Sequence, residues 1–168
     1  MEVPVGELNR KTVIDTMNYY PWRDGQIAEL DKESTTTSEL LQDHLPYSHV
    51  VKAFNTIFYR HLGELTRPQN AVDRSALPIA GNDHIAKFKV RTLPDEIGFD
   101  TVDSGQLSEG WRIQRDTAAY VSPYAAFPKG PEGEDFSAAL VRLSQGAGSA
   151  SGAKIAKMAA EAKRFRNY

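Results

Sequence analysis

The sequence VVKAFNT at positions 50–56 runs straight into an amphipathic stretch over 57–65, and this junction constrains the fold more than any other feature. The valines and the phenylalanine favour a strand, Asn55-Thr56 stops it abruptly, and Ile57, Phe58, Leu62 and Leu65 recur at helical spacing. A strand that turns at once into a helix is one unit of a parallel α/β sheet. In such sheets ligands lie outside the carboxyl ends of the strands, which puts Asn55 and Thr56 where a cofactor would be met. No glycine-rich loop that could hold a dinucleotide's phosphates precedes this unit.

The rest of the chain extends the pattern. Thr12, Val13, Ile14 and Thr16 mark a short strand over 11–16, ended by Asn18-Tyr19-Tyr20-Pro21. The polar segment 22–34 is too long for a tight turn and reads as a binding loop. Thr36-Thr37-Ser38-Glu39 has the form of a capping box, opening a helix that Pro46 closes. A third strand covers 77–80, where Pro78 suggests a place near the sheet edge. Asp83 is expected to cap the following helix, and residues 99–103 read as a fourth strand. Pro94 falls inside that helix, at a cost of about 3 kcal/mol, so an early helix end or a drifted sequence is expected. Beyond Gly110 the periodicity fades. The proline-containing segment 120–133 is expected to wrap over a surface, 146–152 to be a flexible small-residue linker, and 153–166 to form a last helix. The expected fold is α/β, a mostly parallel sheet of about four strands with flanking helices and a helical C-terminal extension.

Composition narrows the function. The 168 residues suit one domain with a real core, and 40% hydrophobic with 25% charged residues is ordinary for a globular protein. A formal net charge of −2 with scattered basic residues argues against nucleic acid as a partner. No apolar run approaches a membrane span, and the N-terminal sequence lacks the apolar centre of a signal peptide, so no membrane and a cytoplasmic location are expected. Without cysteine there is no thiol nucleophile and no thiolate metal site. His44, His49, His61 and His84 show no metal-like spacing and read as surface or capping residues. Asp100 and Asp103 read as structural or solvated. The glycines of 146–152 imitate a nucleotide loop, but the strand and acidic residue that must follow are absent. Asn55 and Thr56 remain the best candidates, as ring-binding amide and hydroxyl or as caps of the next helix. Tyr59 reads either as a wall of an acceptor pocket or as a partly buried aromatic.

Four stretches, KTVIDTMNYYP, VVKAFNT, LPIAGND and IGFDTVDSGQLSEG, occur in this order over roughly residues 9–110. Together they make the chain similar to the NADP-dependent reductases of deazaflavin coenzyme F-420, within the pyrroline-5-carboxylate-reductase-like dinucleotide-binding group. The resemblance implies a partial Rossmann-like fold in which 1–110 is the C-terminal half of an NADP-binding domain and 111–168 an irregular and helical extension. It implies that a strand and Gly-x-Gly-x-x-Gly loop should lie upstream of Met1, and that Asn18 and Tyr20 border the nicotinamide. The implied cofactor is NADP, with a deazaflavin as co-substrate. The implied function is hydride transfer between NADP(H) and a deazaflavin or flavin-like acceptor; the alternative is a non-catalytic remnant or interaction domain. In this half-sheet Val13, Ile14, Val50 and Val51 are the apolar residues expected to be exposed, with a homo-dimer through the open edge as the expected assembly.

Overall fold

The computed structural model describes residues 3–131 and 133–164. A four-stranded sheet runs in the order β1-β2-β3-β4, with β1 at Thr12–Asp15, β2 at His49–Lys52, β3 at Ala76–Gly81 and β4 at Asp100–Asp103. β1 and β2 are parallel, with Asp15 beside Lys52, and β3 and β4 are parallel, with Ile79 beside Asp103. The central pair β2–β3 is antiparallel, joined only at Val51↔Gly81 and Lys52↔Ala80. The expected run of parallel crossovers therefore reverses once, at the middle of the sheet.

Helices cover both faces. Helix α5 (His84–Ile97) lies against all four strands, where Ile14, Val51 and Ile79 meet Ala86 and Val90. The opposite face carries helix α3 (Thr37–His44), a 3-10 helix at Leu107–Ile113 and helix α7 (Gly152–Ala160). Side chains alternate between these faces, so Lys52, Asp15 and Ala80 point toward α3 and the 3-10 helix. Because both faces are covered, every residue of β3 is buried. Val50 and Val51 are likewise buried rather than exposed, while Val13 and Ile14 in the edge strand are half-buried.

Local chemistry sets the element boundaries. The capping box forms as expected: the Thr36 hydroxyl accepts from the Glu39 amide, and the Glu39 carboxylate accepts from the Thr36 amide. Asp83 caps α5 by accepting from the Ala86 amide at 2.7 Å. Pro94 does not end α5, which continues to Ile97 and stops at Gly98, in the left-handed region at φ 101°. The segment after Tyr20 holds two short helices, α1 (Pro21–Asp24) and α2 (Ala28–Asp31). Helix α4 runs from Tyr59 to Glu64, beginning later and ending earlier than the expected 57–65.

Several expectations are corrected. Pro78 sits in an interior strand. Its neighbour Ala76 directs its amide to Ala150 and its carbonyl to the Tyr124 hydroxyl, away from β4. Pro78 shares that side, and β2 reaches only as far as Ala80, so its missing N–H leaves no ladder bond unmade. Tyr124, in the expected surface wrap, is fully buried against Leu77, Phe99 and Ile155. The presumed linker 146–152 is docked: Ala147 bridges Ala125, and the Gly148 amide donates to the Tyr124 carbonyl at 2.8 Å. A Cβ on Gly148 would come within 2.9 Å of the Ala125 carbonyl oxygen, so only glycine fits this approach. His61 is buried, not superficial: its ring packs edge-on against Phe58, and it lies one turn before the buried Leu65, whose amide donates to its carbonyl. Helix α6 spans Phe136–Leu143, and the last helix ends at Ala160; the final residues of the helix expected over 153–166 lie outside the described residues.

Candidate functional site

The parallel register of β1 and β2 brings their carboxyl ends side by side, and two asparagines cross-link them. Asn18 donates through Nδ2 to the Asn55 carbonyl at 2.9 Å, and Asn55 donates through Nδ2 to Asn18 Oδ1 at 3.2 Å. Asn55 also donates to the Ile113 carbonyl at 2.6 Å, and Asn18 Oδ1 accepts from the Arg115 amide at 3.2 Å. Phe54, just before Asn55, has φ 63°, a strained conformation for a bulky side chain and one found where a site fixes its backbone.

Asn55 and Thr56 are buried beneath segment 113–121, whose Val121 amide donates to the Thr56 carbonyl at 2.7 Å. Asn18 and Tyr20 instead face an open groove of about 630 Å³ beside the end of β1. Its walls include Met17 and Arg23 on one side and Leu40 and Leu41 of α3 on the other. The Tyr20 hydroxyl lies 2.6 Å from that of Tyr120. The Arg23 and Arg115 guanidinium carbons stand 4.4 and 5.2 Å from the Tyr20 ring centre, within cation–π range. Burial raises the Tyr120 phenol above its usual range, with the bond to Tyr20 adding to the shift. Tyr59 lies elsewhere, 68% exposed and in tilted contact with the Phe58 ring. Four predicted residues thus form one connected cluster, of which Asn18 and Tyr20 reach the groove, and the fifth stands apart.

Beneath Met17 lies a pair that pattern reading missed. Lys52 and Asp15 have fully buried side chains 3.4 Å apart. The Ser38 hydroxyl donates to Asp15 at 2.5 Å, and the Lys52 ammonium donates to the Met17 carbonyl at 2.8 Å. A charged residue inside the apolar run VVKAF is the one sequence signal that could have pointed to it. Arg23 gave no such signal; it pairs with Asp24 at 2.6 Å.

The groove offers apolar walls, an anchored amide and an aromatic ring. Among the described residues, no group of acidic or histidine side chains could hold a metal ion. The glycines of 146–152 are committed to packing. No described helix is long and apolar enough to cross a membrane.

No family model matches the chain. Over 74 residues, 40% of this chain and 53% of the other, it is 38% identical to "Putative protein YjhV" of Escherichia coli strain K12. Among solved structures it resembles a hypothetical protein, SMa0349, from Sinorhizobium meliloti, with TM-score 0.55 and 25% identity over 67% of this chain and 54% of that one. It also resembles a protein of Arthrobacter sp. FB24 described as a "putative F420-dependent NADP-reductase", with TM-score 0.50 and 24% identity over 63% of this chain and 48% of that one. The chain spans about half the length of each of these proteins. What these likenesses establish is the fold: a mostly parallel α/β sheet of the Rossmann-like kind.

Proposed function

We propose that the chain is an oxidoreductase whose groove takes the nicotinamide end of NADP(H) and presents it to a deazaflavin or flavin-like acceptor. The observation that carries this reading is the Asn18–Asn55 cross-link, which fixes a side-chain amide at the adjoining ends of two parallel strands, facing an open groove. The fold likeness to the Arthrobacter protein supports it. When bound, NADPH supplies the hydride. The chain's own residues orient and shield: Asn18 meets the carboxamide, Leu40 and Leu41 exclude water, and Tyr20 borders the ring. Asn55 acts by holding Asn18, and segment 113–121 roofs the strand ends. In this reading residues 1–110 form the ring-binding half of a nucleotide domain and 111–168 complete its core and roof.

Since no described loop cradles the pyrophosphate, affinity for NADPH is expected to be weaker than micromolar. Titration of the isotope-labelled protein with NADPH tests the reading, with shifts expected at the Met17, Asn18 and Tyr20 amides. Saturating NADPH that moves none of them would overturn it. The burial of Asn55 and Thr56 favours a second reading, an interaction domain without a cofactor. That reading predicts an unresponsive groove in a protein that self-associates through β1.

A further inference from the structure

We infer that Lys52, through its buried pair with Asp15, is a positioning residue that sets the groove, holding Asn18 in place and spacing the strand end from α3. This rests on the groove being the ring site.

The geometry is a clamp. Met17 immediately precedes Asn18, and both of its backbone polar groups are taken: its amide donates to Asp15 Oδ1 at 2.8 Å, and its carbonyl accepts from the Lys52 ammonium at 2.8 Å. The same ammonium donates to the Thr37 hydroxyl at 3.3 Å, and Asp15 accepts from Ser38. Thr37 and Ser38 begin α3, which supplies the opposite wall of the groove. One ion pair therefore fixes both walls.

The charge is held by design of its surroundings. Lys52 and Asp15 are adjacent in register, so both side chains leave the same face of the sheet. Gly110 roofs them: a Cβ there would lie 3.4 Å from Lys52 Cδ. Burial pulls the ammonium below the usual lysine range, and Asp15 opposes that shift. A buried charge kept in this way is a liability for stability unless it serves a geometric purpose. Fixing the Met17–Asn18 peptide is such a purpose, because misplacing a reacting group by about 1 Å costs roughly a hundredfold in rate.

Lys52→Met alone leaves Asp15 buried and unpaired, and it is expected to unfold readily. Asp15→Asn combined with Lys52→Met removes both charges and keeps the fold testable. In that double variant, amide exchange at Met17, whose N–H is bonded to Asp15, is expected to accelerate at least tenfold and the Asn18, Thr37 and Ser38 resonances to shift, while Val51 and Leu77 keep their protection. Lys52→Arg, which retains the charge, is expected to restore most of the protection. Acceleration spread evenly over the sheet, or none at the Met17 amide, would overturn the inference. NADPH titration gives an independent arm: the double variant is expected to bind at least tenfold more weakly than wild type, and equal affinity would also overturn it. If wild type itself fails to bind, the ring-site reading fails, while the exchange pattern still decides whether the clamp exists.

Discussion

The two halves of the sheet solve the same packing problem with different chemistry. Around β3 and β4 the centre is apolar: Leu77, Phe99, Tyr124 and Ile155 pack together, and at its margins the ion pairs Arg74–Asp100 and Lys87–Asp103 each set a buried cation against a half-exposed carboxylate. Around the carboxyl ends of β1 and β2 the solution is polar. Lys52, Asp15, Ser38, Asn55 and Thr56 are all buried there, beside a backbone strained at Phe54. Apolar packing alone would have been simpler and often no less stable. A protein that buries polar groups at one end of its sheet and leaves a groove beside them is organised there for geometry, and at the other end for stability.

That contrast can be broken at either half. The largest effect is expected from Lys52→Met, about 3–5 kcal/mol of lost stability, because removing one partner leaves an uncompensated buried charge. Chemical denaturation measures it, and a loss under 1 kcal/mol would mean that the pair is not sealed from water. Leu77→Ala in the apolar half should cost about 3 kcal/mol by opening a cavity, while leaving the groove amides unshifted in a heteronuclear spectrum. Shifts at Met17 and Asn18 would show that the halves are not independent. Thr36→Ala should cost about 1 kcal/mol, since it removes the cap of α3 and the 3.0 Å bond to the Leu107 carbonyl.

The smallest effect is a pH slope. His61 is fully buried, and its ring nitrogens meet no partner in good geometry among the described residues. Burial lowers its pKa, opposed by Glu64 and the Leu143 backbone. The unfolded chain then binds more protons than the folded one below pH about 6.5, so stability falls as pH drops through that window. His61→Leu should remove that slope while leaving the steeper loss below about pH 4, where Asp83 and Asp95, whose pKa values are lowered in the fold, become protonated. An unchanged slope near pH 6 would assign it to another group.

Features legible in the sequence were those written within one turn or one strand. The capping box needs only Thr36 and Glu39, and the Asp83 cap needs only its neighbour three residues on. The strand positions followed from β-branched runs in the same local way. What stayed hidden depended on register and distant contacts. Asn18 and Asn55 each carried a strand-end signal, but only the parallel pairing of β1 with β2 joins them across 37 positions. Tyr20 meets Tyr120 across 100 positions, which no spacing rule anticipates. Pro78 lacks an amide and so suggests a sheet edge, whereas it sits in an interior strand at a point the β2 ladder does not reach. Histidine by type suggests a surface, whereas the contact with Phe58 and the buried Leu65 one turn on hold His61 inside.

The most direct test of hydride transfer uses NADPH deuterated at both C4 positions of the nicotinamide, mixed with oxidised deazaflavin and the folded protein. Mass spectrometry of the acceptor is expected to find one deuterium carried over per reduction, and Asn18→Ala is expected to slow the transfer roughly a hundredfold by loosening ring alignment. An acceptor that stays unlabelled at saturating NADPH, with the protein shown to be folded, would contradict the account.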